Sequence, residues 1–235
     1  MGGYELNLIP NGNLELWDAG PVPREMDAQV TNTVITILDK EVDLPEDISR
    51  HAWPDQRPPA KYVYEGRRSL RATIAAAAAA DAFRLHPEGI NAVNWGGAST
   101  EHISVDVLYH RYRFSFAARC SVDGNVMLGR IVLRDDTDTV RLHKDDNPGW
   151  GAVGWPDRNT ETLWMAADGG NRPQWELTTV WRKYGTTFQV PPAVAGVPIN
   201  IEHFVWQLSN GTAGAQIIDI DDIQVIDLEN SFAGR

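Results

Sequence analysis

From Tyr112 to Cys120 every second side chain falls on one face. Tyr112, Phe114, Phe116, Ala118 and Cys120 share one parity, and Arg113, Ser115, Ala117 and Arg119 share the other. A period of two is that of an extended chain with one side buried, and a helix does not reproduce it. Shorter runs of the same kind occur at Thr33 to Leu38, Ile103 to Leu108, Met127 to Leu133, Ile199 to Leu208 and Ile217 to Ile226. Turn-forming clusters lie between them, among them Asn11-Gly12, Asp123-Gly124-Asn125, Asn147-Pro148-Gly149, Asp168-Gly169-Gly170 and Asn210-Gly211. Many short strands joined by polar turns predict an antiparallel sandwich or barrel. No internal repeat supports a propeller or a solenoid.

The last run changes parity. Ile218 and Ile220 are apolar at even positions, Ile223 and Val225 at odd ones, so a β-bulge is expected at Asp221-Asp222. Ser69 to Leu85 contains six consecutive alanines, Ala75 to Ala80, and allows two readings. One is a helix, since alanine is the best helix former. The other is a strand from Ser69 to Thr73 followed by an Ala-rich turn, and this is the expectation adopted. Residues 21–59 and 143–181 are long and poor in strand pattern, so they are read as loop insertions in a single domain spanning 1–235.

Composition removes several classes. A net charge of −11 repels nucleic-acid backbones and anionic membranes. The longest apolar run, Ile74 to Ala80, is far short of the about 20 residues that cross a bilayer. A single cysteine, Cys120, rules out an intrachain disulfide, and its parity predicts a buried, inert thiol. Met1 to Pro10 has neither a basic start nor an apolar stretch, so a secretory signal is not expected there.

Nine tryptophans are many for 235 residues. Trp150, Trp155, Trp164, Trp175 and Trp181 crowd one segment together with Asp157, Arg158, Asn159, Asp168, Asn171 and Arg172. Indole faces pack on the C–H faces of sugar rings while acids and amides bond the hydroxyls, so these residues form a candidate glycan- or partner-binding set. The same tryptophans would equally serve to pin a long loop to a sheet, and Trp181 is assigned to the core. Glu15 near one end of the chain and Asp219, Asp221 and Asp222 near the other would meet if the terminal segments pair, and hard carboxylates suit Ca²⁺. Catalytic signatures are missing: no nucleophile elbow, phosphate loop, dinucleotide fingerprint or His-Glu-x-x-His helix occurs, and the six histidines form no His-x-His pair.

Five segments then carry a resemblance. Asn7-Leu-Ile-Pro-Asn-Gly-Asn-Leu-Glu15 resembles the opening of carbohydrate-binding modules of families four, nine and twenty-two, with Leu14 where those modules carry Phe. Gly66-Arg-Arg-Ser-Leu-Arg71 is similar to their Gly-x-x-Ser-Leu strand, and Tyr112 to Arg119 to their central strand with its terminal Arg. Trp181 with Phe188-Gln-Val-Pro191, and Ile220-Asp-Asp-Ile223, resemble their last segments. The resemblance implies a jelly-roll β-sandwich and a structural Ca²⁺ between Glu15 and Asp221.

The expected protein is therefore a non-catalytic, glycan-binding surface protein. It is read as a virion component (phage decoration, fibre or tail) or a cell-surface component, with polysaccharide, capsid or tail subunits as partners and a homo-oligomer among its states. A structural cement protein without sugar affinity is the alternative, and a jelly-roll glycosidase or lyase the third reading.

Overall fold

The computed structural model describes residues 7–9, 11–17, 20–39, 64, 67–87, 103–104, 110–135, 174–189, 193–194, 197–198 and 201–229. The strands in chain order are β1 (Met26–Val30), β2 (Thr33–Asp39), β3 (Arg68–Ile74), β4 (Phe83–Pro87), β5 (Ile103–Ser104), β6 (Arg111–Cys120), β7 (Val126–Asp135), β8 (Gln174–Glu176), β9 (Arg182–Gln189), β10 (Ala193–Val194), β11 (Val197–Pro198), β12 (Ile201–Asn210) and β13 (Gln216–Asp227). One sheet runs β1-β4-β12-β7-β8, with β5 also on β12; the other runs β2-β3-β13-β6-β9, and β10 pairs with β11. Every pairing is antiparallel. The antiparallel all-β sandwich is the fold observed, one of the two forms expected from the alternation and the jelly-roll arrangement that the resemblance implies.

The buried parity of β6 supplies the centre of the core. Tyr112, Phe114, Phe116, Ala118 and Cys120 are all buried, as are Ile218 and Ile220 on β13 beside them. Phe83, Leu85, Met127, Trp206 and Leu208 face them from the other sheet. Phe114 meets Trp206 at 6.1 Å between ring centroids, and Phe116 meets Trp175 edge-on at 5.0 Å. Large rings contributed by both sheets make this contact the main apolar driving force for closing the sandwich. Cys120 lies buried within it, and burial pushes its thiol up from the ordinary value, which keeps it protonated and unreactive.

Several expectations need correction. Residues 21–39 are not part of a loop insertion, because β1 and β2 fall within them. β1 escapes notice because its alternation, Met26, Ala28 and Val30 against Asp27 and Gln29, lasts only five residues beside a proline-rich stretch, and β4 because it follows directly on the alanine run. β8 likewise lies inside the 143–181 stretch. The alanines form a turn, with Ala78 N–H donating to the Ala75 carbonyl, so the strand-then-turn reading holds. Of the Ile103 to Leu108 run only Ile103–Ser104 is described, as β5.

The bulge falls where the parity break placed it. Asp221 pairs with Ala117 but Gln224 pairs with Ser115, so β13 advances three residues while β6 advances two. Asp222 takes φ +45°, a left-handed conformation that brings its carboxylate to the outer face beside Asp221, where a regular pleat would turn it inward.

β3 stops pairing with β13 at Ile220, and the N-terminal segment takes over from there. Leu8 N–H donates to the Val225 carbonyl at 2.8 Å and Ile223 N–H to the Gly12 carbonyl at 2.7 Å. The Asn7 amide imitates a missing strand: its Nδ2 donates to the Ile223 carbonyl at 2.8 Å and its Oδ1 accepts Val225 N–H at 3.0 Å. Gly12 is required by proximity, since a Cβ there would stand 2.0 Å from the Ile223 oxygen. Asn11, at φ +50°, donates to the carbonyls of Leu16 and Arg24 and accepts Leu16 N–H. The Asn-Gly pair thus serves to close the fold beside the bulge.

Candidate functional site

The outer face of the β2-β3-β13-β6-β9 sheet carries an unusual set of side chains. Because Ile218 and Ile220 point into the core, Asp219 between them points outward. Arg71 on β3 and Arg119 on β6 are its register partners on either side. Arg71 grips the carboxylate with two bonds, Nε to Oδ1 at 2.7 Å and Nη2 to Oδ2 at 2.9 Å. Arg119 reaches Oδ2 through Nε at 2.8 Å and Nη2 at 2.7 Å. The Asp219 side chain is only 3% exposed, so the pairing compensates an ion that would otherwise be costly to bury.

Arg119 in turn supports an aromatic corner. Its Cζ lies 5.5 Å from the centroid of Trp181, which immediately precedes β9. Tyr64 meets the same indole at 6.0 Å between ring centroids, with the planes 52° apart. Tyr64 is 41% exposed. The Trp181 Nε1–H and the Ser115 hydroxyl on the same face are buried and find no hydrogen-bond partner among the described residues. Beside them Lys183 on β9 bonds Asp222 Oδ2 at 2.8 Å and Gln224 Oε1 at 2.9 Å, and Gln224 Nε2 donates to Asp222 Oδ1. Two rings set at an angle, held by a guanidinium and flanked by fixed polar groups, can stack a ring-shaped ligand and bond its hydroxyls.

The approach to β3 lies across this corner. Tyr64 N–H donates to Asp221 Oδ2 at 2.9 Å, while Arg67 and Arg68 N–H donate to Glu15 Oε1 at 2.6 and 3.1 Å. Asp221 Oδ1 accepts Asp222 N–H at 2.7 Å, and the Arg67 and Arg68 side chains reach Asp39 at the end of β2. Three of the four oxygens of Glu15 and Asp221 therefore already accept peptide N–H groups. Ca²⁺ takes six to eight oxygen ligands. No group of three or more His, Cys, Asp or Glu side chains able to hold a metal lies together among the described residues. As arranged, the pair serves as a peptide clamp.

The other expected residues divide as follows. Trp150, Trp155, Trp164, Asp157, Asn171 and Arg172 lie outside the described residues. Trp175 is half-buried against the core, edge-on to Phe116, and its Nε1 donates to the Gly185 carbonyl at 3.2 Å. Trp181, assigned to the core from sequence, belongs instead to the outer face. Asp219, grouped with the metal ligands, is an ion-pair acceptor. Tyr64 and Arg71 were missed as site residues, and Arg119 was noted only as the end of a strand. The signal for the two arginines was the polar parity of β3 and β6, whose meaning depends on which strands pair, whereas Tyr64 lies before β3 and has no such signal.

No protein-family profile and no curated protein sequence matches the chain. Among solved structures it is similar to the enzymatically active domain of tailspike protein 4 of bacteriophage CBA120 (TM-score 0.47, 10% identity, 94% of this chain). The chain spans 21% of that tailspike chain. It is also similar to the CBM22-1 xylan-binding domain of Paenibacillus barcinonensis Xyn10C, with TM-score 0.44 and 10% identity over 95% of this chain and 96% of that one. A third is a putative sugar binding protein from Bacteroides thetaiotaomicron, with TM-score 0.43 and 10% identity over 94% and 100%. All three TM-scores are below 0.5, and the likenesses carry no argument about activity.

Proposed function

We propose that this chain is a non-catalytic glycan-binding β-sandwich that takes sugar on the outer face of the β2-β3-β13-β6-β9 sheet, against Trp181 and Tyr64. The observation that carries the reading is the aromatic corner. An indole and a phenol meet on a sheet face where solvated polar side chains would suffice, and the buried Trp181 Nε1–H has no partner among the described residues. The Arg71–Asp219–Arg119 triad makes the corner rigid, which reduces the entropy lost when a ligand is ordered against it. Its place of work in this reading is a virion or cell surface, where a polysaccharide is the partner.

Affinity electrophoresis through gels containing soluble polysaccharides tests it, and the sugars tried follow those named for the similar structures. Retardation on at least one polymer, lost in Trp181→Ala with unchanged circular dichroism, is the expected result. Full retardation of that variant would remove the site. Release of reducing ends from any polymer would overturn the non-catalytic part, and no retardation on any polymer would favour a purely structural role.

A further inference from the structure

The two carboxylates that suggest a metal from sequence instead converge on the chain that delivers Tyr64. Glu15 holds the peptide N–H groups of Arg67 and Arg68, and Asp221 holds that of Tyr64 itself. Arg68 Nη1 returns a bond to the Glu15 carbonyl at 3.3 Å, and Asp39 holds both arginine side chains from β2. Every one of these contacts fixes the entrance to β3, and the exposed end of that entrance is the Tyr64 ring on Trp181. Asp221 reaches it because it shares the outward parity of Asp219 and is still in register with Ala117, just before the bulge at Asp222.

We propose that Glu15 and Asp221 are positioning residues of the outer-face site, holding Tyr64 against Trp181 through peptide N–H groups and without a bound cation. The proposal rests on the reading that this face binds sugar. Both N–H donors on Glu15 land on one oxygen, Oε1, so a glutamine keeps the clamp intact, whereas a cation cage depends on the carboxylate charge.

The contact between Tyr64 and Trp181 is read without any ligand, as the near-ultraviolet circular dichroism difference between the protein and its Trp181→Phe variant. Glu15→Ala and Asp221→Ala are expected to reduce that difference signal and to weaken sugar binding about tenfold, about 1.4 kcal/mol. Glu15→Gln is expected to keep both, and treatment with a chelator to change neither. If Asp221→Ala fails to fold, the Glu15 pair decides alone. A Glu15→Gln variant as damaged as Glu15→Ala, or a signal lost on chelation and restored by Ca²⁺, would overturn the proposal. An intact signal in Glu15→Ala would overturn it too. A signal that behaves as expected in a protein that binds no sugar leaves the clamp standing and removes the sugar reading.

Discussion

Asp219 on β13 lies opposite Arg119 on β6, with Arg119 Nε 2.8 Å from its carboxylate, and this pairing places the guanidinium that the Trp181 ring rests on. The site and the sheet therefore share one interaction. The carboxylate also holds Arg71 on the other side, so three adjacent strands are tied across their outer face.

Replacing Asp219 with Ala leaves two guanidinium groups facing each other without their shared anion. Leaving buried charges uncompensated costs about 3–5 kcal/mol, reduced here because Arg71 keeps partial contact with water. Urea unfolding of Asp219→Ala is expected to show a loss of about 2–4 kcal/mol. A loss under about 0.5 kcal/mol, the range of an ordinary surface change, would mean that the triad contributes nothing.

Gly12→Ala probes the N-terminal stitch. The added Cβ would stand 2.0 Å from the Ile223 oxygen and 2.4 Å from Asn7 Nδ2, so the stitch must separate from β13. Forced overpacking of this kind costs about 1–3 kcal/mol. Thermal unfolding should show the loss, and Gly20→Ala, with nothing within 4 Å of its added Cβ, should not. Equal melting temperatures for the two variants would refute the stitch.

His86 gives the fold an acid-sensitive limb. It is buried on β4 opposite Asp27, with Nδ1 3.0 Å from the Pro87 carbonyl. Burial lowers its pKa from 6.5, outweighing the Pro87 bond and Asp27, which raise it; Arg84 lowers it further. A depressed pKa means the unfolded chain takes the proton first. The stabilising contribution is therefore complete above about pH 6.5 and is lost as the pH falls through the lowered value. Replacing His86 with Gln should make unfolding free energy less steep in pH just below about 6.5. An unchanged slope would contradict this.

The sheets were legible in the sequence wherever large apolar side chains recur at every second position, as in β6 and in Phe204, Trp206 and Leu208 of β12, because burial on one side dictates the period. The bulge was legible for the same reason, since an extra residue must break parity at Asp221-Asp222. β1 and β4 were not, because their alternation lasts only five residues and is masked by the proline-rich stretch and the alanine run beside them. The site was largely hidden. Arg71, Asp219 and Arg119 are 148 and 100 residues apart along the chain in their two pairs, and only the register of three strands brings them together. Trp181 looked like core because an isolated tryptophan before a strand gives no hint of which face it takes. Glu15 and Asp221 stood out in the sequence as carboxylates near its two ends, but composition does not say which groups a carboxylate holds, and here they hold the peptide N–H groups of Arg67, Arg68 and Tyr64.

The most direct test of the account is calorimetric titration of the retarding oligosaccharide into the protein, its Trp181→Ala variant and its Trp175→Ala variant. The account predicts that Trp181→Ala loses at least tenfold in affinity, about 1.4 kcal/mol, with little change in stability. Trp175→Ala, whose ring packs on Phe116, should lose stability and keep its affinity at a temperature where it is folded. Binding that survives Trp181→Ala and disappears in folded Trp175→Ala would contradict it.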